Sequence, residues 1–220
     1  MAFSHILFDL DGTLTDPALG ITNSVMYALE RFGIHVKDRR ELYPFIGPPL
    51  VDSFMEYYHL SRADARKGVA YYREYYADKG IFECSVYDGI PQLLQRLQSQ
   101  KKSLILATSK PEHFATLVLE HFHLDPYFSR IAGASLDESR TTKDAVIDWA
   151  LRDITFTPGC AAMVGDRRYD MEGAKKFGLF AVGVLFGYGS QQELENAGAD
   201  KLAVDAEELF SILSPGCKVK

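Results

Sequence analysis

The chain alternates between short apolar runs, typical of buried strands, and longer segments in which apolar residues recur at helical spacing. The first run ends at Phe8, and later runs indicate strands at residues 103–107, 130–132, 160–164, 179–184 and 201–204. Helices are predicted at residues 90–100, 111–122, 142–151, 170–177, 191–197 and 206–213. This order predicts an α/β protein with a doubly wound parallel sheet, a Rossmann-like core.

Residues 17–82 differ from the rest of the chain, because every periodic segment there is helical. The sequence therefore predicts an all-helical cap domain, residues 16–83, inserted into an α/β core domain formed by residues 1–15 and 84–220. Both connections leave the sheet at the carboxyl ends of its strands, so we expect the cap to cover that edge. Within the cap, helices are predicted from Asp16 to Gly33, over residues 50–58 and from Ser61 to Gly80.

Composition limits the partners and the location of the protein. The chain has 220 residues, of which 47% are hydrophobic, and a formal charge of −6 with no dense basic segment. We therefore expect a full hydrophobic core, and neither a nucleic-acid polymer nor a membrane as partner. The absence of a recognisable leader peptide or membrane-length apolar run favours a cytoplasmic location. Three widely separated cysteines form no CxxC pair, which argues against a zinc site.

Two acids follow the first strand directly. Side chains alternate along a strand, so Asp9 and Asp11 point to the same side, and Gly12 permits the backbone to turn beneath them. Neighbouring carboxylates repel each other unless a cation or a proton separates them. The pair therefore indicates either a divalent metal or a nucleophile with a proton-transfer partner, although an isolated motif of this kind also occurs as a plain turn.

Other predicted element ends carry matching chemistry. The hydroxyls of Thr108 and Ser109 follow a strand and precede a helix, where they could bind a phosphate or simply cap the helix. Asp166 and Asp170 flank another strand-to-helix turn, where Asp170 could be no more than a capping residue. Lys143 stands at a helix start, which disfavours a cation unless acidic neighbours stabilise it.

These residues indicate a functional site more strongly together than separately, because the predicted sheet brings all of them to one edge. Four carboxylates in one cleft need compensating positive charge. Mg²⁺, held by oxygen ligands, and the Lys143 ammonium would supply it and leave the site able to accept a phosphoryl group. The residues expected at this edge are Asp9, Asp11, Thr108, Lys143, Asp166 and Asp170.

In these motifs the chain resembles the haloacid dehalogenase-like hydrolase superfamily, in particular its phosphoglycolate phosphatase-like members with a helical cap. The DxDGT motif of that family matches residues 9–13, its hydroxyl matches Thr108, its lysine matches Lys143, and its GDxxxD motif matches residues 165–170. The resemblance implies a Mg²⁺-dependent phosphatase that hydrolyses a small phosphate monoester through an aspartyl phosphate. Phosphoglycolate and nucleoside monophosphates are the substrates that it suggests.

The resemblance also implies a role for each residue. Asp9 would be the nucleophile and Asp11 the general acid and base, while Thr108 and Lys143 would bind the phosphate. The Mg²⁺ ligands implied are Asp9, the backbone carbonyl of Asp11, Asp166 and, directly or through another ligand, Asp170.

Several alternatives stay open. A haloacid dehalogenase would not need Asp11, and sugar-phosphate mutases of this fold usually carry a Glu-Asp pair where this chain has Gly165 and Asp166. A receiver domain also combines an aspartate, a threonine and a lysine, but it is smaller and has no helical insert. A non-catalytic phosphoacceptor or binding protein is the remaining alternative, although every motif position is filled.

Selection of the substrate is assigned to the cap. Gly47 and Pro48 form a stiff turn that could reach the leaving group, or could simply connect two helices. Arg73 could bind a second anionic group of the substrate, or could be a solvated helix residue. The sequence leaves the physiological substrate and the oligomeric state open.

Overall fold

The computed structural model describes residues 3–137, 139–157 and 159–214. The chain divides into two compact units, which we call the core unit (Met1–Thr15 with Val86–Lys220) and the helical unit (Asp16–Ser85). Cys84 and Cys160 are half-buried, and Cys217 lies outside the described residues.

The core unit contains a six-stranded sheet in the order β5-β4-β1-β6-β7-β8, and its strand pairs are parallel. The order reverses direction at β1, so the sheet is doubly wound as predicted. Its strands are β1 (His5–Phe8), β4 (Ser103–Pro111), β5 (Phe128–Ala134), β6 (Ala161–Gly165), β7 (Phe180–Val184) and β8 (Lys201–Ala203). Two short strands, β2 (Thr15–Asp16) and β3 (Ser85–Val86), form a separate pair.

Helices follow the strands of the core unit in the predicted alternation. In the described part of the chain, no helix combines the length and apolar character needed to cross a membrane. The core-unit helices are α4 (Ile90–Ser99), α5 (Glu112–His121), α6 (Lys143–Ala150), α7 (Arg168–Lys176), α8 (Gln191–Asn196) and α9 (Ala206–Leu213), with a 3₁₀ helix at Asp125–Tyr127. The prediction is confirmed in the identity and order of these elements, with shifts at their ends.

Apolar packing on one face of the sheet fixes the position of β1. Leu7 and Met163, from neighbouring strands, are fully buried in a cluster with Ile147 of α6 and Met171 of α7. Because both faces of such a parallel sheet are covered, the sequences of its strands are continuous apolar segments, and the fully buried β6 is an example. The carboxyl end of β1 is thereby held between β4 and β6.

The helical unit contains the three predicted helices and two 3₁₀ segments that the sequence did not reveal. A 3₁₀ helix at Arg39–Phe45 precedes α2, and its seven residues, with Pro44 among them and Leu42 and Phe45 buried, are too few to show a helical period. Phe45 packs edge-to-face on Phe54, with ring centroids 5.1 Å apart. The remaining helices of the unit are α1 (Ala18–Glu30), α2 (Leu50–Tyr58), α3 (Arg62–Asp78) and a 3₁₀ turn at Gly80–Phe82.

Candidate active site

The end of β1 places Asp9 next to β6. The Asp9 N–H donates to the Val164 carbonyl at 2.9 Å, and the Leu10 N–H donates to Asp9 Oδ1 at 2.8 Å. Gly12 then adopts a φ of +82°, and a Cβ there would stand 2.2 Å from Asp166 Oδ2. Only glycine fits this turn, because any side chain would collide with the second acid of the site.

Three buried aspartates form a cluster, which we call the acid cluster: Asp9, Asp166 and Asp170. Each offers one carboxylate oxygen, and these oxygens lie within 4.8 Å of one another. Asp166 follows β6, and its Oδ2 accepts the Tyr188 N–H at 2.8 Å, whereas its Oδ1 is buried without a hydrogen-bond partner among the described residues. The Oδ2 of Asp170 accepts the Arg167 N–H at 3.1 Å.

Lys143 is the cation of the acid cluster. It is the first residue of α6, where the Thr142 side chain caps the helix, and it is buried. Its Nζ lies 3.0 Å from Asp9 Oδ1 and 2.8 Å from Asp170 Oδ1, and it donates to the Ala107 carbonyl at 3.1 Å. One ammonium thus faces three carboxylates, which leaves the cluster with an excess of negative charge.

Burial and mutual repulsion perturb the acids of the cluster. Burial, followed by the charges of Asp170 and Asp9, raises the pKa of Asp166 well above its usual range. Burial also raises the pKa of Asp170, although Lys143 opposes that shift. For Lys143 burial works against the charge, yet Asp170 and Asp9 raise the pKa of its ammonium above the usual value. A divalent cation would relieve this imbalance.

Asp11 has a different partner, which the sequence did not reveal. The Lys110 ammonium lies 2.8 Å from Asp11 Oδ1 and 2.7 Å from Oδ2, and both side chains are largely buried. Burial raises the pKa of Asp11 even though Lys110 opposes the shift. The sequence did contain an indication of this contact, because Lys110 follows Thr108 by two residues and so lies on the same side of its strand.

The structure places Thr108 and Ser109 inside β4, which continues to Pro111. The predicted end of this strand at residue 107 is therefore wrong, whereas α5 begins at Glu112, one residue after the predicted helix start. Thr108 is buried, and its Oγ1 accepts the Lys110 N–H at 3.3 Å, whereas Ser109 is half-buried. Thr108 is thus tied by a hydrogen bond to the lysine that contacts Asp11.

The loop after β7 also contacts the acid cluster. A Cβ on Gly187 would lie 2.3 Å from the Gly12 carbonyl and 2.4 Å from Asp166 Cβ, and one on Gly189 would lie 1.9 Å from the Asp166 carbonyl. These glycines let the backbone approach Asp166 closely enough for the Tyr188 N–H to bind its carboxylate. Their role depends on tertiary contact, so local sequence patterns could not show it.

The three predicted cap residues lie in two places in the helical unit. Gly47, with a φ of +105°, and the half-buried Pro48 belong to the turn between the 3₁₀ helix at Arg39–Phe45 and α2. Arg73 is exposed on α3. Their predicted contacts with a substrate stay predictions.

Comparison with known proteins gives a consistent result. Residues 6–184 match the family model described as haloacid dehalogenase-like hydrolase. A protein of Pseudomonas aeruginosa named 5'-nucleotidase is 42% identical over 97% of this chain and 96% of its own length. A phosphoglycolate phosphatase of Aliivibrio fischeri is 25% identical over 95% of this chain and 96% of its own length.

A solved structure extends the likeness to three dimensions. The crystal structure of a predicted phosphatase from Clostridium acetobutylicum is 47% identical, with a TM-score of 0.92 over 96% of this chain and 98% of that chain. The predicted fold class and the predicted enzyme class, a phosphoric monoester hydrolase, are confirmed. With the match covering most of its length, the chain belongs to the haloacid dehalogenase-like hydrolase family.

Proposed function

We propose that this protein hydrolyses a small phosphate monoester through an aspartyl phosphate formed on Asp9, with Mg²⁺ as cofactor. The observation that carries the proposal is the acid cluster itself, in which Asp9 lies beside Asp166 and Asp170 and contacts the Lys143 ammonium. Phosphoryl transfer depends on positioning and on neutralising charge. The cluster positions the Asp9 carboxylate beside the Lys143 ammonium, and a divalent cation held by its acids would complete the neutralisation. The cytoplasmic location and the cap role of residues 16–83 are further parts of the proposal.

The residues of the acid cluster fit a hard divalent cation. Asp166 Oδ1 is a buried carboxylate oxygen without a hydrogen-bond partner among the described residues, which is costly unless a ligand satisfies it. Asp9, Asp166 and the backbone carbonyl of Asp11 would hold Mg²⁺, with Asp170 as a further ligand or as support. When bound, the ion supplies charge neutralisation for the phosphoryl oxygens and for the attacking carboxylate.

In the first step Asp9 attacks phosphorus. Its Oδ1 is engaged by the Leu10 N–H and Lys143, which leaves Oδ2 as the nucleophilic oxygen. A bond forms between this oxygen and phosphorus while the bond to the leaving oxygen breaks. Asp11 donates a proton to that leaving oxygen, and burial favours its protonated form because it raises the pKa of this carboxyl.

In the second step water replaces the enzyme carboxylate. Asp11, now ionised and held by Lys110, accepts a proton from water as the water oxygen bonds to phosphorus. The bond between phosphorus and Asp9 breaks, which releases inorganic phosphate and regenerates both aspartates. Lys143 and the Thr108 hydroxyl bind the phosphoryl oxygens during both steps.

The substrate is proposed among small esters such as nucleoside monophosphates and phosphoglycolate. A purified sample is assayed against a panel of these esters, with and without Mg²⁺, and kcat/KM is measured for each. We expect hydrolysis to require Mg²⁺, to stop in chelator and to be poorly supported by Ca²⁺, whose looser coordination misaligns the attacking carboxylate. Full activity after exhaustive metal removal contradicts the metal assignment, and inactivity on every ester contradicts the proposed function.

A further inference from the structure

Lys110 is a buried lysine near the end of β4 that none of the matched sequence motifs includes. Its side chain is 5% exposed, and its ammonium lies 2.8 Å from Asp11 Oδ1 and 2.7 Å from Asp11 Oδ2. Both residues belong to the core unit. A buried ammonium is costly unless an acid compensates its charge, so the contact with Asp11 is the physical reason why a lysine is tolerated here.

Tertiary contacts fix the backbone from which the Lys110 side chain extends. A Cβ on Gly133 of β5 would lie 2.7 Å from the Lys110 carbonyl oxygen and 2.6 Å from the Glu112 nitrogen, so a glycine is needed for this close approach. Glu112 Oε2 accepts the Gly133 N–H at 3.3 Å and an Arg140 guanidinium N–H at 3.0 Å. Arg140 Nε donates to the Gly133 carbonyl at 2.7 Å. The end of β4 is therefore held in one position against β5.

The contact with both oxygens restricts the Asp11 carboxyl group. Rotation of this group about its Cβ–Cγ bond would lengthen at least one of the two contacts with the Lys110 ammonium. Lys143 is arranged differently, because it contacts one oxygen of Asp9 and one oxygen of Asp170. The two buried lysines thus have separate carboxylate partners, and Lys110 is the one that contacts Asp11.

We propose that Lys110 is a positioning residue for Asp11, which it holds in the orientation that both proton transfers need. The inference rests on the proposed function, in which Asp11 donates a proton to the leaving oxygen and later accepts one from water. Lys110 then affects the reaction only through Asp11. Because a misplacement of a reacting group by about 1 Å can cost about 10²-fold in rate, we expect a loss of this size without Lys110.

An aryl phosphate separates the two steps in the full-length protein with Mg²⁺. Transfer of its phosphoryl group to Asp9 releases a phenolate that needs no proton, whereas hydrolysis of the aspartyl phosphate needs Asp11 to accept a proton from water. In Lys110→Met, rapid mixing should show a burst of about one phenolate per active site, followed by a steady rate about 10²-fold below that of the wild type. Inhibition by inorganic phosphate should change by less than about twofold, because the phosphate contacts are retained.

A double variant tests whether Lys110 acts through Asp11. Once Asp11→Asn has removed the proton-transfer group, Lys110 has no carboxylate to position. Adding Lys110→Met to Asp11→Asn should therefore change the residual rate on the aryl phosphate by less than about twofold. A further loss of about tenfold or more would mean that Lys110 acts on the phosphate or the metal site directly, and it would overturn the proposal.

Lys102 provides a matched control at the other end of β4. It directly precedes the strand, is 8% exposed like Lys110, and donates from Nζ to the Phe3 carbonyl at 3.0 Å. Lys102→Met removes a lysine of equal burial, so it should lower the Tm but produce no burst. If Lys110→Met does not fold, Lys110→Gln, which keeps an N–H donor, takes its place in the same measurements.

The outcomes separate this inference from the proposed function. If folded Lys110→Met or Lys110→Gln has the wild-type steady rate while Asp11→Asn is inactive, the inference is wrong and the proposed function stands. A burst in Lys102→Met as well would show that loss of any buried lysine slows the second step, which also contradicts a specific role of Lys110. If Asp11→Asn keeps the wild-type rate on every ester, or the wild type hydrolyses none, the proposed function is wrong and the inference fails with it.

Discussion

The acid cluster of the core unit and a cavity of the helical unit lined by Asp16, Arg39 and Glu83, which we call the Arg39 cavity, differ in how their charges are held. In the acid cluster, the Lys143 ammonium lies within 3.0 Å of two of the three buried carboxylates, and the carboxylates lie within 4.8 Å of one another. In the Arg39 cavity, the arginine and the two acids are only partly buried and have separate partners. In the first arrangement the charges hold one another in place, and in the second each charge is held by its own neighbours.

The largest expected effect belongs to the acid cluster. Asp9→Asn replaces the nucleophile with an amide, so kcat/KM should fall by more than about 10⁴-fold on every ester. Circular dichroism and thermal unfolding show whether the variant still folds. A folded variant with a rate near that of the wild type means that the nucleophile is assigned to the wrong residue.

A pair of lysines compares the two units directly. Lys143→Met leaves buried carboxylates without their cation, so the free energy of unfolding should fall by about 3–5 kcal/mol. The control is Lys67→Met in the helical unit, where the lysine and Asp64 form an exposed pair that should be worth less than about 1 kcal/mol. Urea unfolding of both variants measures the difference, and equal effects would show that burial does not set the strength of these pairs.

Mg²⁺ should stabilise the core unit in a pH-dependent way. Burial raises the pKa of Asp170 to about 6, and that of Asp166 is raised as well, so the metal-free fold loses stability as pH rises from about 4 through these values. A bound cation reverses this loss and adds about 2.7 kcal/mol at a hundredfold excess over Kd. The rise in Tm with Mg²⁺ should therefore be large at pH 8 and small at pH 5. A rise independent of pH contradicts binding at these carboxylates.

The smallest effects are expected in the helical unit, at the predicted cap residues. Pro48→Ala and Arg73→Ala should change the ranking of kcat/KM among esters by a few-fold to about tenfold, with metal dependence retained. A parallel ester panel on the wild type and both variants provides the measurement. If the ranking is the same in all three proteins, neither position selects the substrate.

The site of the core unit could be predicted because its reactive side chains stand where strands end and helices begin. An aspartate that follows an apolar strand is visible in the sequence, and the parallel sheet then brings Asp9 and Asp166 together. Lys110 was missed because the segment after Ala107 was assigned to a helix start, whereas the strand continues to Pro111. The spacing of two residues between Thr108 and Lys110 could have indicated that both side chains lie on the same side of the strand.

The helical unit was less predictable, because its features depend on contacts between distant parts of the chain. The 3₁₀ helix at Arg39–Phe45 is too short to show a helical period. The cavity joins Asp16, Arg39 and Glu83, which are far apart in the sequence and belong to different elements. Local patterns can locate helices there, but only the fold shows which side chains share a cavity.

Chemical trapping of the phosphorylated residue tests the central claim most directly. The Asp11→Asn variant, which lacks the general base, is mixed with Mg²⁺ and an aryl phosphate, whose leaving group needs no proton, and then quenched and reduced with borohydride. Reduction converts an aspartyl phosphate to homoserine, which mass spectrometry of the peptides locates. We predict homoserine at Asp9 and its absence from Asp9→Asn and from samples without substrate. Homoserine at another aspartate, or hydrolysis by the wild type with no trapped residue under any condition, contradicts the aspartyl-phosphate mechanism at Asp9.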